Sequence, residues 1–128
     1  MICLDTHAVH LWLSEDKRLP AHVRRRIDRA RVFISCVTLW EMAQLTVEGR
    51  IELHTSIQAY LGAAVAWEGL TVVEITPSIA IRAARFGPLF PKDPMDRLIT
   101  ATAIELGVPL ATSDEQIARS GVVEILWG

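Results

Sequence analysis

Short apolar runs of strand length alternate along the chain with longer segments whose apolar positions recur every three to four residues. Ile2-Cys3-Leu4 is the first run and ends on Asp5; His7 to Leu13 then reads as a helix, with Asp5 or Thr6 available as its cap. Pro20 opens a second helix over about 21–30, where Val23 and Ile27 share a face and the arginines point away. Val32-Phe33-Ile34-Ser35 is the next strand. From Thr38 to about Val47 the spacing of Leu39, Met42, Ala43 and Val47 is helical, and Gly49 ends it. Ser56 to about Trp67 forms another amphipathic helix, and the β-branched stretch from Leu70 to Ile75 reads as a strand. Thr76-Pro77 starts a helix that runs to about Phe86. After a loop over Gly87–Pro91, Asp93-Pro94-Met95-Asp96 opens a helix that continues to Leu106 and stops at Gly107. Val108 to Ala111 is a strand, Asp114 caps a short helix, and Val122 to Trp127 is the last strand.

Strands that alternate with helices predict the α/β class, with a parallel sheet covered on both faces. The 128 residues suit one domain spanning 1–128, since no repeat, low-complexity tract or linker divides them. An apolar share of 51% is high, yet no run approaches the ~18–20 residues of a membrane span. No basic region precedes a long apolar stretch at the N-terminus, so the expectation is a cytoplasmic protein without a membrane partner. Cys3 and Cys36 lie in or beside apolar runs and are expected as free thiols.

The topology gives meaning to four acids. Asp5, Glu41, Asp96 and Asp114 each adjoin an apolar stretch, where a bare charge costs solvation energy unless it is paired or holds a cation. In open α/β sheets ligands bind beyond the carboxyl ends of the strands. Asp5 ends the first strand, Asp114 follows the Val108–Ala111 strand, Glu41 lies in the helix after the second strand, and Asp96 in the first turn of its helix. Each also has an ordinary explanation. Asp5, Asp93 and Asp114 are helix caps, Asp96 at N3 favours a helix N-terminus, and Glu41 can extend to solvent. One shared pocket explains them together, and clustered carboxylates are what Mg²⁺ or Mn²⁺ binds for phosphodiester hydrolysis. Thr6, Ser35, Thr112 and Ser113 fall at the same strand ends, where hydroxyls orient carboxylates. His7 reads as a helix-surface residue, Trp40 as core, and no histidine has zinc spacing.

A net charge of −2 excludes bulk attraction to nucleic acid as the main driver of binding. Basic residues nevertheless cluster: Arg24, Arg25, Arg26, Arg29 and Arg31 in one segment, and Arg82, Arg85, Lys92 and Arg97 in a looser group. Arg24, Arg25, Arg29 and Arg97 are the candidates for RNA contact, against the plain reading of a solvated helix face. Phosphate loops, G-x-S-x-G and CxxC motifs are absent.

Leu4-Asp5-Thr6-His7, Trp40-Glu41, Asp93-Pro94-Met95-Asp96-Arg97-Leu98-Ile99 and Ala111-Thr112-Ser113-Asp114 together resemble the PIN-domain ribonucleases, more narrowly the VapC-type toxins of prokaryotic toxin–antitoxin pairs. The likeness extends over essentially the whole chain, including Gly49-Arg50-Ile51-Glu52-Leu53 and Val122–Trp127. It implies a PIN-like three-layer fold, with a five-stranded parallel sheet between helices, and Mg²⁺- or Mn²⁺-dependent endoribonuclease activity. By position it implies that Asp5, Glu41, Asp96 and Asp114 are the catalytic quartet, with Asp5, Asp96 and Asp114 on the metal. Asp93 and Thr112 support them, beside Thr6 and Ser35, which their strand-end positions make accessory, and water activated by the metal cleaves RNA. The same resemblance implies a homodimer and a small antitoxin that covers the site. Two other readings stand beside it. One is a non-catalytic RNA- or protein-binding module, with the acids as caps; the other is a metal-dependent DNA nuclease or phosphohydrolase of similar architecture.

Overall fold

The structure, a computed structural model, describes residues 1–128. Five short strands form one parallel sheet in the order β3-β2-β1-β4-β5: β1 (Ile2–Leu4), β2 (Val32–Ser35), β3 (Leu70–Val73), β4 (Leu110–Ala111) and β5 (Ile125–Leu126). The helices that connect them are α1 (Thr6–Leu13), α2 (Ala21–Arg29), α3 (Cys36–Val47), α4 (Ile57–Ala66), α5 (Pro77–Ala84), α6 (Pro94–Leu106) and α7 (Glu115–Ser120). The expected α/β class, the parallel sheet and the order of elements all appear. The last strand is the main local difference: only Ile125–Leu126 of the expected Val122–Trp127 run pairs with β4.

Side-chain alternation sorts the sheet into two faces. Ile2, Leu4, Val32 and Ile34 pack with Val9, Leu11 and Trp12 of α1, Val23 and Ile27 of α2, Met42 of α3 and Tyr60 of α4. Cys3 and Leu110 point the other way, into a smaller core with Phe90 of the loop before α6, Ile99 and Ala103 of α6, and Ile117 of α7. Ile2, Leu4 and Ile34 are completely buried, each contributing about 1.5–3 kcal/mol relative to exposure. A one-residue slip of β1 would exchange its faces and lose that contribution.

Trp40 departs from expectation: it is 58% exposed instead of core. Thr38 and Met42 form the buried line of α3, and a residue two places from each lies about 200° around the helix, on the opposite face. Both cysteines are free, Cys3 buried and Cys36 partly so. Burial pushes the Cys3 thiol up to about 12, which makes it unreactive.

Candidate active site

Strand order creates the site. From β1 the chain builds outward through β2 to β3, then crosses back through α5 and α6 to place β4 on the free side of β1. The direction of winding therefore reverses between β1 and β4, and such a switch opens a crevice beyond the carboxyl ends of the two strands. Leu4 pairs with Ala111 there, so Asp5 and Asp114 emerge on either side of the crevice.

Three helices begin at this edge, each capped by an acid. Asp5 accepts the Ala8 N–H at 2.8 Å, Asp93 the Met95 N–H at 2.8 Å, and Asp114 the N–H groups of Gln116 and Ile117 at 2.8 and 3.0 Å. The positive ends of α1 and α6 thus face a concentration of carboxylates, an arrangement that stabilises negative charge. The α6 cap also directs Asp96, in the third helical position, toward the same edge. Glu41 reaches across from the second turn of α3, where the Thr6 hydroxyl donates to its carboxylate. The Thr38 hydroxyl stands 3.4 Å behind Thr6, so α3 and α1 are joined beneath Glu41.

Asp5, Glu41, Asp93, Asp96 and Asp114 line one cavity of about 330 Å³ with Thr6, His7, Leu45, Arg50 and Ser113. A larger cavity of about 630 Å³ beside α5 contains a single carboxylate, Glu105, which pairs with Arg82. The acids affect one another as their proximity requires. Burial, followed by the charges of Asp93, Asp114, Glu41 and Asp5, pushes the Asp96 carboxyl up to about 7. Burial also raises Asp5, opposed by the Thr112 hydroxyl and the Ala8 N–H, and it raises Glu41, opposed by the Thr6 hydroxyl and the charge of Arg50. No three acidic, histidine or cysteine side chains form a ready-made metal cage. The donors are nonetheless hard oxygens held on separate elements, the chemistry that suits Mg²⁺ or Mn²⁺.

The supporting hydroxyls divide into two groups. Thr112 is buried beside Asp5 and accepts the Asp114 N–H at 3.1 Å, linking the acids that follow β1 and β4. Thr6 lines the cavity, whereas Ser35 is fully buried as the cap of α3 and does not line it.

The four arginines expected to contact RNA stand in different surroundings. Arg24 donates to the carbonyls of Trp12 and Leu11 at 3.1 Å, and of Asp16 at 3.3 Å, closing the carboxyl end of α1. Arg97 donates to Pro91, Gly87, Ala83 and Phe90 carbonyls at 2.7–3.4 Å, with Phe90 beneath its guanidinium. In both, the orphan carbonyls of a helix end or loop occupy the donors that RNA would need. Arg25 and Arg29 are exposed but line a hollow with Met1, at the amino end of β1 and on the opposite edge of the sheet from the acids. Arg50, Leu45 and His7 are the cavity residues that sequence pattern did not assign to the site. For Arg50 the available signal was its place just after Gly49, where the helix carrying Glu41 ends.

The PIN domain family model matches residues 2–122. Ribonuclease VapC22 of Mycobacterium tuberculosis (strain ATCC 25618 / H37Rv) is 35% identical over 117 residues, covering 91% of this chain and 88% of that protein. Among solved structures, Rickettsia felis VapBC2 bound to a promoter DNA fragment superposes with a TM-score of 0.70 at 16% identity, over 100% of both chains. The Mycobacterium tuberculosis toxin VapC20, which cleaves the sarcin-ricin loop, gives a TM-score of 0.69 at 18% identity, again over 100% of both chains. A crevice at the β1/β4 switch point, lined by acids in the order the sequence suggested, therefore has relatives of known type: the chain belongs to the PIN-domain family, within its VapC branch.

Proposed function

We propose that the protein is a Mg²⁺- or Mn²⁺-dependent endoribonuclease that acts in the cytoplasm as the toxin of a toxin–antitoxin pair. The observation that carries this reading is the single cavity into which five carboxylates from four separate segments project. Its relationship to a ribonuclease at 35% identity supports RNA as the substrate.

Asp5, Asp96 and Asp114 would hold the metal. When bound, a divalent ion supplies positive charge that offsets the phosphodiester and acidifies water beside it. Asp96, with its carboxyl raised to about 7, is partly protonated at neutral pH and would give up that proton to serve as an anionic ligand. Thr112 keeps Asp5 and Asp114 in register with one another. Glu41, oriented by Thr6, accepts the proton of the attacking water, since its raised pKa makes it a better base than an exposed glutamate. Asp93 adds charge at the rim while holding the start of α6.

A small antitoxin that presents a basic side chain would neutralise the same acids, and the likeness to the VapBC2 complex supports such a partner. A homodimer, one domain per chain, is the proposed assembly. The test is cleavage of RNA in Mg²⁺ by wild type, Asp5→Asn and Asp96→Asn, with DNA as competitor. Each substitution is expected to slow cleavage by roughly 10²-fold or more. Undiminished cleavage by both variants overturns the assignment, and preference for the DNA competitor overturns the substrate.

A further inference from the structure

Carboxylates that bound metal does not fully screen repel an approaching phosphate, so a cation of the protein at the cavity mouth would assist binding. In this molecule the obvious suppliers are unavailable. Arg24 and Arg97 are bonded to backbone carbonyls, and Arg25, Arg26 and Arg29 surround Met1 at the far edge of the sheet. Arg18 and Arg82 pair with Asp16 and Glu105, Arg119 lines a separate hollow with Phe86 and Leu89, and Lys92, exposed beside Asp93, does not line the acidic cavity. The helix N-termini at the acidic edge offer little to an anion, since Asp5, Asp93 and Asp114 already accept their N–H groups.

Arg50 is the only arginine or lysine lining the acidic cavity. Its position is set by the end of α3: Gly49 takes φ +74°, and the Arg50 N–H turns back to the Leu45 carbonyl at 2.9 Å. That closure fixes the Arg50 backbone beside Leu45, which lines the same cavity. The guanidinium remains available. Its one ion pair, with Glu48, spans 3.9 Å between side chains 69% and 41% exposed, a contact of little strength. Its charge is already felt in the cavity, where it favours the ionised form of Glu41.

We propose that Arg50 binds a backbone phosphate of the RNA substrate at the mouth of the acidic cavity, positioning the strand for cleavage. The proposal rests on the ribonuclease reading and deepens it. A guanidinium suits the task because its planar N–H groups pair with two phosphate oxygens at once, while its fixed charge survives at any working pH. Through its proximity to Glu41, an RNA held by Arg50 lies beside the residue that receives the proton of water.

The decisive measurement is binding rather than turnover. In an Asp96→Asn background, which holds RNA without cutting it, the affinity for a labelled single-stranded RNA is measured from low to high NaCl for Arg50, Arg50→Ala and Arg50→Lys. Losing one phosphate contact is expected to lower the slope of log affinity against log salt by about 0.7. Lysine should restore the slope but not the full affinity, since it lacks the paired donors. Arg29→Ala, on the far edge, should leave the slope unchanged. An unchanged slope in Arg50→Ala, with the thermal midpoint also unchanged, overturns the proposal; so does an unchanged slope with a lowered midpoint, which would make Arg50 a structural counter-charge. Wild-type cleavage of the same RNA, measured in parallel, separates failure of this proposal from failure of the ribonuclease reading. If wild type cuts and the slope does not move, only the Arg50 assignment falls.

Discussion

The two edges of the sheet carry opposite charge, and they were built by different means. At the carboxyl edge, acids from residues 5 to 114 meet in one cavity although the chain separates them widely. At the amino edge, arginines that are neighbours in sequence surround the start of β1. A short strand keeps the two apart, since four extended residues span only ~13 Å. The contrast shows that sequence clustering says little about where charge will act. Strand polarity, the same for all five strands, decides which end of the sheet a residue serves.

The largest effect that would sharpen this contrast concerns Arg97, the arginine next to the acids in sequence but turned away from solvent. Arg97→Ala is expected to cost about 2–4 kcal/mol, because it strands loop carbonyls that Arg97 satisfies. Chemical denaturation at fixed metal would read the loss. A change below about 0.5 kcal/mol would return Arg97 to the pool of substrate contacts.

A smaller effect should separate the edges by pH. Asp96 titrates near 7 in the folded state against 3.8 when unperturbed, so between those values the folded chain retains a proton that the unfolded chain releases. Stability without metal should therefore fall as pH rises from about 4 to about 7, and level off above. Allowing for solvent screening of this partly buried group, the loss is about 1–2 kcal/mol. Asp96→Asn should make the profile shallower, leaving the part due to Asp5 and Glu41, and raise the midpoint at pH 8, as thermal melts in chelator would show. A wild-type profile that does not fall over this range would mean that neither burial nor the neighbouring acids hold the Asp96 proton.

The smallest effect belongs to the amino edge. Replacing Arg25 and Arg29 together with glutamine should change the rate of RNA cleavage by less than about 2-fold at moderate salt, where screening extends only ~10 Å. A tenfold loss would show that the substrate wraps around the sheet and would erase the distinction between the edges.

Which features were legible follows from the range of the forces involved. Asp5, Asp93, Asp96 and Asp114 announce themselves locally, since each sits at a helix start where cap chemistry is written in adjacent residues. Their convergence also follows, because alternating strands and helices admit few sheet orders. Glu41 was recoverable only through the position of α3 after β2. Trp40 was misplaced because a bulky aromatic suggests burial, whereas the buried line of α3 runs through Thr38 and Met42. The carbonyl bonds of Arg24 and Arg97 were not legible for a deeper reason: which carbonyls lack partners depends on how helix ends meet loops. Periodicity does not contain that information. Arg50 was overlooked because its importance comes from a helix end folding back toward acids contributed by other segments.

Pairing between β1 and β4 has a consequence for how such a chain is made. Leu4 meets Ala111 across most of the length of the polypeptide, and Asp114 takes its place only once that late strand has docked. Residues as late as 114 must therefore have been synthesised before the acids can assemble. No stretch of the chain that lacks β4 and the residues after it can hold the acidic cavity.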